Sequence, residues 1–135
     1  MMLSDVHDFI KALNLAEYVY MSTMPDKKEK SIGVYNSKHQ QEYKTAIGGQ
    51  RLKSYGTKYI TLLIHWNKSP RDSEKAALAV LEAVETVRNV TVNDDLIKFI
   101  QPLYEPQDIG KDDAGICEWV IEMAVIYEKG KGETE

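Results

Sequence analysis

Residues 58–88 read KYITLLIHWNKSPRDSEKAALAVLEAVETVR, and this stretch decides the fold. Lys58 to Asn67 alternates. Ile60, Leu62, Ile64 and Trp66 fall on one face, and Tyr59, Thr61, Leu63 and His65 on the other. A period of two is the mark of a strand. Both faces are substantially apolar, which puts the strand in the middle of a sheet or leaves one face for another subunit. Ser69-Pro70 then opens a helix over 69–88, with serine as cap, proline at the first helical position and Asp72 in the first turn. Ala77, Val80, Leu81, Val84 and Val87 form its apolar stripe, while Glu74, Lys75, Glu82 and Glu85 mostly face water. Arg88 suits the negative end of the helix dipole, and Asn89 suits a left-handed exit.

Outward from this unit, the N-terminal side offers a short helix over 3–14. Ser4 is its expected cap, Asp5 lies in its first turn, and Val6, Phe9, Ile10 and Leu13 form its stripe. Tyr18–Ser22 and Ile32–Tyr35 are β-prone runs joined by a charged turn, a pattern that predicts a hairpin. Residues 37–57 show no sustained period and are expected to be a long loop. On the C-terminal side, a turn around Asn93-Asp94-Asp95 precedes a strand over 96–104, in which Pro102 calls for an edge position or a bulge. Residues 105–115 are expected to be a second loop. Cys117–Glu128 is the last strand, with Trp119, Ile121, Met123, Val125 and Tyr127 on one face. The sum is an α+β fold: a mostly antiparallel sheet, a long helix packed on one face and a short N-terminal helix. One domain is expected over 1–128, followed by a disordered charged tail over 129–135.

Composition narrows the function. The 135 residues carry 17 Lys plus Arg against 21 Asp plus Glu, a net charge of −4. The bases are scattered among acids, so a concentrated basic face for gripping nucleic acid is not expected. No apolar run approaches the ~18 residues of a membrane span. The acidic start MMLSDVHDF is unlike a signal peptide. A single cysteine, Cys117, allows no internal disulfide and suits a reducing cytoplasm.

Candidate chemistry is sparse. Cys117 has no adjacent base and reads as a small packed thiol. His7, His39 and His65 never form an i, i+4 pair of the zinc-binding kind. Asp94-Asp95 and Asp112-Asp113 lack the alternating spacing of a calcium loop and read as turn formers. Gly48–Lys58 lacks the Gly-Lys-Ser/Thr of a phosphate loop. No two of the 21 acids stand out as a glycosidase pair. Catalytic, cofactor and metal residues are therefore expected to be absent. The aromatics Trp66, Trp119, Tyr20, Tyr35, Tyr55, Tyr59, Tyr104 and Tyr127 lie in or beside strands, either filling one core or feeding a protein interface.

Three segments carry a family resemblance: YVYMSTMPDKKEKSIGVYNS (18–37), TKYITLLIHWNKSPRDSEKAALAVLEAVETV (57–87) and IQPLYEPQDIGKDDAGICEWVIEMAVIYE (100–128). Together with the N-terminal helix, they resemble the minor capsid and tail-terminator (tail-completion) proteins of long-tailed bacteriophages. The resemblance runs over roughly residues 3–128. It implies a structural virion protein at the tail–neck junction, made in the host cytoplasm. Its subunits would form a six-membered ring that ends tail-tube growth, contacting the tail-tube protein and a neck or head-completion protein. Phage DNA would pass through without specific binding, which an acidic subunit suits because like charge lets the duplex slide. A head-side neck protein is the nearest alternative. A small ligand- or peptide-binding α+β module is the alternative from another class. The two loops, 37–57 and 105–115, are expected to do the docking.

Overall fold

A computed structural model describes residues 1–24, 28–38 and 55–129 of the chain. In order, the elements are α1 (Leu3–Ala12), β1 (Tyr18–Met21), β2 (Ser31–Asn36), β3 (Tyr55–His65), α2 (Pro70–Glu85), β4 (Arg88–Val92), β5 (Asp95–Pro102), β6 (Gln107–Lys111) and β7 (Cys117–Glu128).

The long apolar strands form the spine of the sheet. β3 and β7 pair antiparallel without a break from Tyr55↔Glu128 to His65↔Glu118. On this frame Ile60, Leu62 and Ile64 share the inner face with Met123, Ile121 and Trp119, their register partners. The first five of these are fully buried or nearly so, and Trp119 is half-buried. The sheet order is β1-β2-β3-β7-β5-β4, with β6 also pairing β7. β5 lies along Met123–Glu128 of β7 and β6 along Cys117–Val120, so the two strands share one edge of β7 in succession. The register slips between Ile97 and Phe99 in β5 and between Asp108 and Gly110 in β6. Such bulges add local bend and twist.

The expected α+β architecture is corrected here. Among the described residues, 46% are strand and 24% helix, and the sheet curls into a half-barrel accompanied by two short helices. A long helix lying across a sheet is not what the chain builds. Two things account for the difference. The expected helix over 69–88 stops at Glu85, because Val87 and Arg88 turn away into β4. β4 and β6, neither of which was expected, extend the sheet, and twist and bulges then curl it. The curl is visible in the contacts of α1, which touches β1 and β2 near one end of the strand order and β4 at the other.

Other boundaries also move. The segments around 18–22 and 32–35 are not a hairpin: β1 and β2 run parallel, from Tyr18↔Ser31 to Met21↔Val34. β2 therefore starts beside the start of β1. β3 begins at Tyr55 and ends at His65, so Trp66 and Asn67 lie beyond the strand. The expected loop over 105–115 holds β6. Most of the expected loop over 37–57 (residues 39–54) and residues 130–135 of the expected tail lie outside the described residues.

Local chemistry explains the helix ends. Ser69 caps α2 by accepting the N–H of Asp72 at 3.3 Å, and Pro70 occupies its first position. Arg88 donates to the carbonyls of Glu85 at 3.1 Å and Val87 at 2.6 Å, where the helix leaves C=O groups unpaired. Asn89 takes φ 55°, as its side chain permits. In α1 the cap position is Met2, not Ser4, and Asp5 accepts the N–H of Met2 at 2.8 Å. The inner faces meet in one core. α1 contributes Val6, Phe9 and Ile10, while α2 contributes Ala76, Ala77, Val80 and Val84. Leu81, expected in that stripe, is only partly buried at its margin.

Candidate assembly surface

Most of the residues singled out for chemistry are scattered, but His65 and Asp112 meet. Cys117 opens β7, buried, its backbone tied to Trp66 and Asn67. His7 stands on α1, with Nδ1 3.2 Å from Asp8 and Nε2 3.0 Å from the Val19 carbonyl. That contact to His7, helped by Asn93, holds the Asp8 carboxyl below its ordinary range. His39 and Gly48–Ser54 lie outside the described residues. Asp94 sits in the β4–β5 turn beside Asn93, which takes φ 53°. Its neighbour Asp95 is buried and ion-paired with the N-terminal ammonium of Met1 at 3.5 Å. Among the described residues, no group of three or more His, Cys, Asp and Glu gathers as a metal site.

His65 and Asp112 are the pair that sequence reading missed. His65 ends β3 and is 1% exposed, with Nδ1 2.9 Å from the Lys28 carbonyl and Nε2 2.8 Å from Asp112 Oδ2. Asp112 Oδ1 accepts the N–H groups of Ala114 and Ile116, each at 2.9 Å. The bond from His65, followed by that from Ile116, holds the Asp112 carboxyl below the usual carboxylate range. Asp112 thus shapes the β6–β7 turn, as a turn-forming acid should. The signal for its partner was absent, because 47 residues separate the two.

What remains open is surface. The outer face of the sheet carries Tyr59, Thr61 and Leu63 of β3, all half-buried, opposite Ala124, Glu122 and Val120 of β7. Glu122 is fixed there, accepting from Ser37 Oγ at 2.7 Å and Thr61 Oγ1 at 2.9 Å. Tyr35, on the same face, has its phenol pushed up by burial and then by the charge of Glu118. The aromatics divide. Trp66 and Trp119 pack against the core margin, whereas Tyr55 and Tyr104 are about half exposed (51% and 50%). β6 is exposed at all five positions, with Ile109 at 53%. Among the described residues it pairs with β7 alone, which makes it an edge strand, and the Asp108 carboxylate accepts the N–H of Gly110 at 2.9 Å. Leu81 and Glu85 of α2 and residues 101–105 line an open groove. None of this forms a catalytic constellation. Free strand edge, exposed apolar side chains and open grooves are the means of holding a protein partner.

A family model described as bacteriophage tail terminator protein matches residues 9–129. No curated protein matches the chain.

Proposed function

The chain belongs to the bacteriophage tail terminator family, and on that premise we propose that it forms a ring that caps the finished tail tube, stops its polymerisation and joins it to the neck. The family is structural, its members are virion components, and they meet other phage tail or head proteins. Among the described residues, no helix is long and apolar enough to cross a membrane. The observation that carries the reading is the extent of the family match, which takes in every strand of the sheet.

Geometry supports the finer reading. A tail tube is a stack of subunits joined head to tail, a contact with no intrinsic end. Ending it takes a component that binds the growing face without offering a copy of that face. Six copies in a ring would do so, one side turned to the tube protein and the other to the neck or head-completion protein. The strand edges and half-exposed side chains of each subunit supply contacts of both kinds. The chain acts as one unit over residues 1–128 and does no chemistry of its own. DNA passes through the ring unbound, in keeping with a net charge of −4.

Electron microscopy of a phage lacking this chain tests the proposal. Tails of irregular and often excessive length beside unattached heads are the expected result. Tails of normal length with unjoined heads would move the protein to the head side of the junction. Complete infectious particles would reject both roles.

A further inference from the structure

Both ring nitrogens of His65 face oxygen atoms. A neutral imidazole has one donor and one acceptor nitrogen. Nδ1 faces the carbonyl of Lys28, which can only accept. Nε2 faces Asp112 Oδ2, and an ionised carboxylate can also only accept. The other oxygen of Asp112 takes two backbone N–H groups, an arrangement that favours the ionised form. A singly protonated His65 would therefore set a lone pair against an oxygen at one of its two contacts, at a site only 1% exposed. Buried polar groups left facing in this way are costly.

We propose that His65 is held as the imidazolium, donating both ring protons, and that this buried cation clasps the β6–β7 turn and the segment before β2 onto the end of β3. The charges around it agree. Glu118 of β7 is its register partner and shares its face, so two carboxylates, Asp112 and Glu118, lie on its side. Of the cations on the neighbouring segment, Lys28 has its ammonium over the ring of Tyr18, 4.8 Å from the centroid, and Lys30 is exposed. Ser31, the partner on β2, spends its hydroxyl on the same Lys28 carbonyl. The clasp anchors the hairpin that carries exposed β6, so proton loss at His65 would loosen part of the surface offered to partners. That link to assembly rests on the reading above; the clasp itself does not.

The ring nitrogen resonances of His65, followed by NMR in the folded chain from pH 5 to 9, test this. Both nitrogens should carry protons at pH 7. As pH rises, loss of one proton should coincide with faster amide exchange at Gly115 and Ile116, beyond the acceleration that base catalysis gives every amide. In Asp112→Asn, the new amide can donate to a bare Nε2, so His65 should then hold a single proton, on Nδ1, at pH 7. One bare ring nitrogen in the unaltered chain at pH 7, with Gly115 and Ile116 still protected, would overturn the proposal. So would two ring protons retained in a folded Asp112→Asn chain.

Discussion

β3 and β6 are both antiparallel partners of β7, one on each of its edges, and they live under opposite rules. β3 follows β7 through all eleven of its residues, and its inner side chains are sealed in the core. β6 pairs at four positions, slips register once, and buries nothing of its own. Backbone pairing suffices to make a strand of either. Only β3 is also held by side chains. The contrast separates what stabilises the subunit from what is left over for neighbours. The apolar area that β3 removes from water serves the fold, whereas Ile109 of β6, 53% exposed, adds little to it.

The largest expected effect lies on the buried side. Leu62 is fully buried between Val34 and Ile121, its register partners on β2 and β7. Leu62→Ala should destabilise the chain by about 2–5 kcal/mol, the range for deleting a buried leucine side chain. Urea unfolding measures it. A cost below ~1 kcal/mol would mean that β3 is not the spine of this core.

The same contrast explains how far the sequence could be read. β3, β7 and the start of α2 were legible because side-chain period and a serine–proline cap act locally. β4 escaped notice because Arg88-Asn89-Val90-Thr91-Val92 follows a helix directly, with only Val92 buried. β6 escaped because a strand with no core face leaves no alternation to detect. The parallel sense of β1 and β2 was invisible, since two β-prone runs and a nine-residue link look alike in either direction. The curl of the sheet arises from bulges and from the number of strands, and neither is a local property. The surface was only partly legible. Tyr55 and Tyr104 were among the expected interface aromatics and are half exposed, while Trp66 and Trp119 pack against the core. Ile109 falls in a stretch whose sequence reads as a loop. The contact between His65 and Asp112 joins two elements that periodicity never brings together.

Two glycines sharpen the contrast by failing for different reasons. Gly110 of β6 has φ +95° and open space around a would-be Cβ, so Gly110→Ala meets no neighbour and carries backbone strain alone. That strain should cost about 1–2 kcal/mol. Gly56 of β3 has an ordinary backbone, but a Cβ there would meet the ring of Tyr127 at 2.6 Å. Gly56→Ala should cost about 1–3 kcal/mol, the range for overpacking, because the tyrosine ring must shift to make room. A wider side chain distinguishes the two. Gly56→Leu should be much worse than Gly56→Ala, while at Gly110 leucine and alanine should be nearly equal in the same unfolding measurement. Matching size dependence at both positions would mean that β6 is packed against something in the free subunit.

The smallest effect on stability carries the most about assembly. Ile109 is 53% exposed on a strand whose five residues all face solvent. Ile109→Ser should therefore leave the unfolding free energy of the isolated chain within about 0.5 kcal/mol of its parent, as surface changes usually do. Yet the side chain and the free edge beside it are what a neighbour would cover, and burying an isoleucine at an interface is worth about 1.5–3 kcal/mol. In the proposed six-membered ring, the same loss would repeat at every contact. A phage carrying Ile109→Ser should yield fewer joined particles and more free heads, counted by electron microscopy, while the purified subunit stays as stable as before. A subunit that is silent in both measurements would place the contacts elsewhere, with the half-buried outer face of β3 the next surface to alter. A subunit destabilised as strongly as Leu62→Ala would instead show that Ile109 is covered within the chain, and the contrast between the two strands would fall.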